Sequence, residues 1–484
     1  MNRPKISVVI PAYQGAEYLG EAIQSVLDQT YTNFELIIVD DASPEDTSVV
    51  MKKFTDARIK YIKHKYNQGA VAARKTGVHA SSGEIIAFLD QDDLFHELKL
   101  EAHAGYLSEN PQVGLSYNGR FEVLGPEKTI CGIYVPPEEL HLADWVLGFP
   151  LSPSDMVLKR EWAVQDQIWD DSFSRQTEHV IFNGQEIIFG GRLTLAGCTF
   201  GNVGRALNYR RYHPDRVLNH LLVRCRSELD CQNIIFSDPC CPDDVKAVRN
   251  LAFSNIYVMW AYTAYIQEEY DLGRNFLKQA LTLNPDYFTV GDPCEFLDSW
   301  LLWISSGTVG SVRGEEEIIR SIFGNLPQEL QFLESRCDWA IARCNLLKGL
   351  RGMIWGEAGT AGMYIRTAVK LNACLDTTAM SALCDELLNY ESELGGDANA
   401  RRIIDDLSNV FKKLNRSDSA RSLAGFYWIN RAYRNYHNKK YNSVPGDVLQ
   451  AIMAEPKYLL NKGALSVLFH SILWRTKLVK SNAR

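Results

Sequence analysis

A run of five apolar residues, Ile85-Ile86-Ala87-Phe88-Leu89, stops abruptly at Asp90-Gln91-Asp92-Asp93. An unbroken apolar run of this length reads as a strand buried on both faces, the pattern of a parallel sheet. Ending it at Asp90 puts three carboxylates at the carboxyl edge of that sheet, where open α/β folds bind ligands. Carboxylates this close repel one another unless a cation or hydrogen-bond donors neutralise them. Hard divalent cations that bridge phosphates, Mg²⁺ or Mn²⁺, suit one or two such oxygens. The pattern points to a metal-assisted site for a phosphorylated substrate. The plainer alternative is a solvated acidic turn that caps the next helix.

Other runs give this strand its context. Ile6–Pro11 is β-rich and closed by a proline, Phe34–Val39 ends in Asp40-Asp41, and Arg58–Ile62 is shorter. Between them Ala22, Ile23, Val26 and Leu27, then Val49, Val50 and Phe54, recur at helical spacing, and Gly69 opens a helix predicted over Ala70–Ala80. Strands alternating with helices of this length form βαβ units and a mostly parallel sheet. Right-handed crossovers bring Pro11, Asp40-Asp41 and Asp90–Asp93 to one edge.

Five segments, Ser7–Tyr13, Gln24–Thr30, Ile37–Ser43, Asn67–Gly69 with Ala73-Arg74, and Phe88–Asp93, resemble in order and spacing the family 2 glycosyltransferases. The resemblance spans residues 4–215. It implies an α/β GT-A fold, Rossmann-like with a mostly parallel sheet, and transfer of a sugar from a nucleotide diphosphate with inversion. It also implies roles. Pro11, Tyr13 and Asp41 hold the base and ribose, with Tyr13 stacking on the base and Asp41 accepting an imino N–H. Asp90 meets the ribose, Arg74 the diphosphate, and Asp92 the cation. Leu151–Arg160 resembles the segment that lines the family's sugar pocket. In Gln185-Glu186 the family has Glu-Asp, and the second acid is its catalytic base, so Glu186 takes that role with a side chain one methylene longer. Glu178 and Asp155 stand behind it as alternatives. Tyr209-Arg210-Arg211-Tyr212-His213 resembles the family's closing Tyr-Arg-x-x-His element, in which His213 is a metal ligand, a diphosphate donor or a surface histidine. In the same middle stretch, Val113–Tyr117 and Arg120–Val123 read as strands flanking a hairpin signal at Asn118-Gly119.

The chain's 484 residues, with 51 basic and 59 acidic side chains, carry a net charge of −8, which gives no bulk attraction for nucleic acid. Eleven cysteines without repeated metal spacing read as reduced thiols of a cytoplasmic protein. The opening residues run directly into the first strand, which leaves no room for a signal peptide, and no apolar run is long enough to span a bilayer.

Past Asp238–Asp244 the strand alternation ends and the sequence reads as all helix, which sets a boundary between domains at 1–235 and 240–484. Three stretches fit tetratricopeptide-like helix pairs: Ile256–Pro285, Leu346–Asn372 and Tyr427–Pro456. Such repeats form concave surfaces that bind an acceptor or a second copy. Arg475, Lys477, Lys480 and Arg484 make the tail basic and suggest weak contact with an anionic membrane surface.

Two functions fit: an enzyme that takes a nucleotide-sugar donor and a glycan, lipid-linked or peptide acceptor, or a non-catalytic scaffold on a decayed GT-A domain. The retained Asp90, Asp92 and Glu186 favour the enzyme. A nucleotidyltransferase would need a glycine-rich phosphate loop, and Pro11–Ala16 is not one.

Overall fold

A computed structural model describes residues 3–148, 151–169, 185–212, 220–291, 294–306, 313–356 and 358–481. The four leading strands are β1 (Ile6–Ala12), β2 (Phe34–Asp40), β3 (Ile59–Lys63) and β4 (Ile85–Phe88). β1, β2 and β4 are buried along their whole length, which is why their sequences lack polar alternation. β3 lies at the edge and exposes Lys60, Tyr61 and Lys63; charged side chains of this kind blunt an open edge. The four pair in parallel in the order β3-β2-β1-β4, and the register sets Ala12 beside Asp40 and Val9 beside Phe88.

The helices between these strands are α1 (Ala16–Leu27), α2 (Thr47–Met51) and α3 (Ala70–Ala80). α1 buries Leu19, Ala22, Ile23 and Val26, one stripe at helical spacing. Asp46 caps α2, and α3 starts where Gly69 takes φ 90°, a conformation that costs a residue with a Cβ.

After β4 come β5 (Leu94–Phe95), α4 (Lys99–Glu109), β6 (Leu115–Leu124), β7 (Thr129–Tyr134), α5 (Leu142–Leu147), β8 (Met156–Lys159), α6 (Arg160–Ala163), α7 (Gln185–Leu195), β9 (Phe200–Tyr212) and α8 (Leu221–Phe236). Among the described residues one nine-stranded sheet results, in the order β3-β2-β1-β4-β8-β6-β9-β5 with β7 also on β6. β8 joins the parallel block antiparallel to β4, and β9 runs parallel to β6.

The Asn118-Gly119 hairpin does not form. Both residues lie inside β6, at a bulge in its pairing with β9. The Asn118 side chain is fully buried, bonded to Asn208 at 2.5 Å and to His103 at 2.8 Å, so a residue that resembles a turn former serves a polar core instead.

The sheet is covered on both faces. Val8 and Ile10 pack with Leu19, Ile23 and Leu100, while Val9, Ile86 and Phe88 pack with Trp145 and Phe189. From Leu221 onward the described residues are almost entirely helical. The chain forms two compact units. The first is Met1–Cys294 with Gly324–Gln331, and the second is Glu295–Phe323 with Phe332–Arg484. The first unit therefore takes in the helix pair Arg249–Ile266 and Tyr270–Leu283, past the point where strands give way to helices. The second holds the packed pairs Cys337–Ile354 with Ala358–Lys370 and Ser417–His437 with Val444–Ala454. No disulfide joins any of the eleven cysteines, all of which lie among the described residues.

Candidate active site

The acidic turn is held from several sides. Leu89 N–H still bonds Val9 O at 3.1 Å, and the chain then leaves the sheet. Ser154 Oγ accepts from Asp90 N–H at 3.1 Å and donates to Asp93 Oδ2 at 2.7 Å, so one hydroxyl ties the two ends of the turn. Asp93 Oδ1 also accepts from Arg211 N–H at 3.3 Å. The Arg211 guanidinium donates to the Asp92 carbonyl at 3.2 Å and to Glu21 at 2.8 Å, and lies over the Tyr18 ring. Arg74, projecting from α3, donates to Asp90 Oδ1 at 2.6 Å. Its Nε is buried without a hydrogen-bond partner among the described residues.

Gln91, the residue between the acids, reaches across to the loop after β1. Its Oε1 accepts from Tyr13 N–H at 2.9 Å and its Nε2 donates to Tyr13 O at 2.6 Å. The same loop is anchored by Glu45, which accepts from Gly15 N–H at 3.1 Å and Ala16 N–H at 2.8 Å at the start of α1. An anion suits that position because the first N–H groups of a helix have no internal partners. Tyr13 is exposed on this loop, and Pro11 is buried inside β1 beside Val39.

Asp40 and Asp41 are both buried and committed to the backbone around them. Asp40 accepts from Ser43 N–H at 2.7 Å, Thr47 Oγ1 at 2.5 Å and Tyr61 OH at 2.6 Å. Burial alone would raise its pKa, but these bonds outweigh it and hold the carboxyl below the usual aspartate range. Asp41 accepts from Gln68 N–H at 2.9 Å and Gly69 N–H at 2.7 Å and pairs with His64 Nδ1 at 2.7 Å, which clamps the loop that enters α3.

Glu186 sits in the first turn of α7 and borders an open cleft together with Arg74, Phe88, Met156, Trp169 and Phe189. Surrounding protein raises the pKa of its carboxyl; Asp90 adds to the rise, while Arg74 and Arg210 oppose it. Glu186 thus shares one electrostatic neighbourhood with the Asp90–Arg74 pair. Its placement depends on Gly190 and Gly191 further along α7. A Cβ on Gly190 would run into the Trp145 ring of α5, and one on Gly191 would meet Ile235 of α8 at 2.7 Å.

Asp155 does not stand at the cleft as a spare base. It is fully buried and bonded to Arg120 at 2.8 Å, Ser152 N–H at 2.7 Å and Asn208 at 3.0 Å. It belongs to a polar wall behind the turn with Lys99, His103, Asn118 and Asn208. Burial lowers the Lys99 ammonium to about 7, against the pull of Asp155 and Asp93. His213 and Glu178 lie outside the described residues.

The structure thus brings Arg74 and Glu186 to one cleft, with Asp90 paired to Arg74, and links Asp92 and Tyr13 to Asp90 through the acidic turn. Sequence reasoning passed over Gln91, Ser154, Glu45 and Arg210. Gln91, Ser154 and Arg210 each lie inside a segment that the sequence singles out, Phe88–Asp93, Leu151–Arg160 and Tyr209–His213, whereas Glu45 carries no such signal.

A doubly covered sheet with an acidic turn at the carboxyl edge of its parallel block, continued by antiparallel strands, is an α/β domain of the GT-A class. Residues 7–129 match the family model for Glycosyl transferase family 2. An uncharacterized glycosyltransferase of Rickettsia conorii is 48% identical over 113 residues, 23% of this chain and 18% of the relative. The Escherichia coli UDP-Glc:alpha-D-GlcNAc-diphosphoundecaprenol beta-1,3-glucosyltransferase WfgD is 36% identical over 135 residues, 28% of this chain and 52% of the relative. The chain thus spans about half or less of the length of these two relatives. Among solved structures, S. aureus TarS 1–349 in complex with UDP-GlcNAc overlays with a TM-score of 0.37 at 16% identity, covering 77% of this chain and 93% of that one.

Proposed function

We propose that the protein is a metal-assisted, inverting glycosyltransferase that moves a sugar from a nucleotide-diphosphate donor, a UDP-sugar, to a hydroxyl of a glycan or lipid-linked acceptor. The observation that carries this reading is a carboxylate of raised pKa, Glu186, bordering the same cleft as Arg74, which pairs with Asp90. The E. coli relative, named for a UDP-glucose donor and a diphosphoundecaprenol-linked acceptor, supports the choice of substrates.

In this reading Glu186 accepts the proton of the acceptor hydroxyl as that oxygen attacks the anomeric carbon. A new C–O bond forms while the bond to the diphosphate breaks. A raised pKa brings a carboxylate base closer to the working pH and strengthens it. Arg74 and Arg210 offer positive charge to the departing diphosphate. Tyr13 offers a ring for the nucleobase, and Pro11 and Asp41 shape the same end of the edge, Asp41 through the loop it clamps. Among the described residues no trio of His, Cys, Asp or Glu is gathered into a metal cage. Mg²⁺ or Mn²⁺ would be held by one carboxylate, Asp92, together with the substrate's own phosphates. Such a cation would supply charge neutralisation at the leaving group. The packed helix pairs of the second unit suit a tetratricopeptide-like role in recruiting an acceptor or a second copy. The free thiols fit a reducing, cytoplasmic compartment.

A turnover screen over UDP-, GDP- and TDP-sugars tests the reading, with Asp92→Asn and chelator as controls. Release of UDP that needs metal and Asp92 is expected. Turnover at full rate in chelator overturns the metal role, and absence of binding to every nucleotide sugar overturns the reading as a whole.

A further inference from the structure

The C-terminal helix, Lys462–Ser481, is in use on one side and bare on the other. Ala464, Val467 and Ser471 are buried, the first two within the core of the second unit. Leu465, Phe469, Ile472 and Leu473 are exposed, Phe469 by 62%. Positions i, i+4, i+7 and i+8 share one helical face, so the four make a stripe directed away from the packed side. The neighbouring elements add to it. Met453, on the helix Val444–Ala454, is 70% exposed and Leu460, in the turn Pro456–Leu460, is 85% exposed. Single exposed apolar residues are ordinary; four on one helical face are not.

Charge separates the candidate occupants. After Glu455 the sequence has no Asp or Glu, but it has Lys457, Lys462, Arg475, Lys477, Lys480 and Arg484, within a chain of net charge −8. Docking two copies through this region would bring like charges together, which Coulomb repulsion opposes. Anionic headgroups would neutralise them, each Lys or Arg near the surface adding attraction. Among the described residues no helix is long and apolar enough to cross a membrane. An amphipathic basic helix of this kind lies in the interface plane, with its apolar side in the acyl boundary.

We propose that the C-terminal helix and the turn before it form a docking face for an anionic lipid bilayer, with Leu465, Phe469, Ile472 and Leu473 seated below the headgroups. The proposal stands apart from the transfer reaction, because its test reads membrane binding alone.

The full chain is sedimented with phosphatidylcholine vesicles with and without phosphatidylglycerol, at low and high salt. Binding is expected on the anionic vesicles and should weaken at least about tenfold at high salt. Phe469→Asp with Ile472→Asp should lower vesicle partitioning about tenfold or more, and so should Arg475→Glu with Lys477→Glu and Lys480→Glu. Circular dichroism checks the fold of both variants; if the first misfolds, the charge-reversal variant decides. No binding of the unaltered chain to anionic vesicles at low salt overturns the proposal, as does equal binding by a folded variant. A dimer that forms without vesicle binding and is lost in both variants also overturns it, and assigns the face to self-association.

Discussion

Two strand ends in this molecule look alike in sequence and do different work. β2 finishes in Asp40-Asp41, and β4 is followed by Asp90-Gln91-Asp92-Asp93. At the first end, Asp40 binds Ser43, Thr47 and Tyr61, and Asp41 binds Gln68, Gly69 and His64. At the second, one acid is tied inward by Ser154 and Arg211 while Asp90 meets Arg74 beside the cleft. The contrast lies in the donors nearby. The segments after β2 present backbone N–H groups, hydroxyls, the His64 ring and the Lys63 ammonium 3.2 Å from Asp40, so its carboxylates fold the chain. The turn after β4 faces an arginine on the neighbouring helix α3, so a charge pair is left where a ligand can reach it. Paired acids at a sheet edge thus mark either a built loop or a site, and the partners decide which.

Four measurements would break or sharpen that contrast. The largest effect is expected at Glu186, which lines the cleft beside Arg74, the partner of Asp90. Glu186→Gln keeps size and hydrogen-bonding reach but cannot take the proton. Transfer should fall about 10²–10⁴-fold with donor affinity nearly unchanged, and single-turnover rates beside donor titrations read both. Near wild-type transfer would move the base elsewhere.

The pH profile comes next. The base works only when ionised, and its folded pKa is raised above the ordinary 4.5. Activity should therefore fall as pH drops through a midpoint above 4.5. That limb should vanish from the residual activity of Glu186→Gln; a limb that persists unchanged belongs to another group.

Removing a carboxylate of the first strand end should act on stability. Asp40→Ala and Asp41→Ala leave buried donors unsatisfied, a loss of about 1–3 kcal/mol each by denaturant unfolding. Because the Asp40 carboxyl is held below its ordinary 3.8, its contribution is present above that value and disappears as pH falls through the lower folded value. An Asp40→Ala protein of wild-type stability, altered only in nucleotide affinity, would erase the distinction between the two ends.

The smallest effect is expected at Gln91. Gln91→Ala frees the Tyr13 backbone, which should raise the KM for donor several-fold, about the worth of one or two hydrogen bonds, with the melting temperature nearly unchanged. A loss of kcat with constant KM would instead place Gln91 with the reacting atoms.

Much of the parallel block was legible because apolar runs and helical spacing are local signals. Gly69 and the helix Ala70–Ala80 fell where the sequence put them. Asn118-Gly119 misled because turn chemistry and a bulged strand use the same residues. What distinguishes them is Asn208, ninety positions away, meeting the Asn118 amide. The clamps Gln91, Ser154 and Glu45 were hidden for the same reason, since each acts on backbone distant in sequence. The cleft was legible only in part. Glu186 and Arg74 could be named singly, but their shared neighbourhood is a property of α3 and α7 coming together.

The paired glycines of α7 set a tolerance. Trp145 lies against one and Ile235 against the other, and the tighter seat is at Gly190, where a Cβ would enter the Trp145 ring. A methyl added at Gly190 must move that ring or the helix that carries Glu186, and reacting groups displaced by about 1 Å lose on the order of 10²-fold in rate. How far the carboxylate reaches is thus set in part by two absent side chains that do not line the cleft.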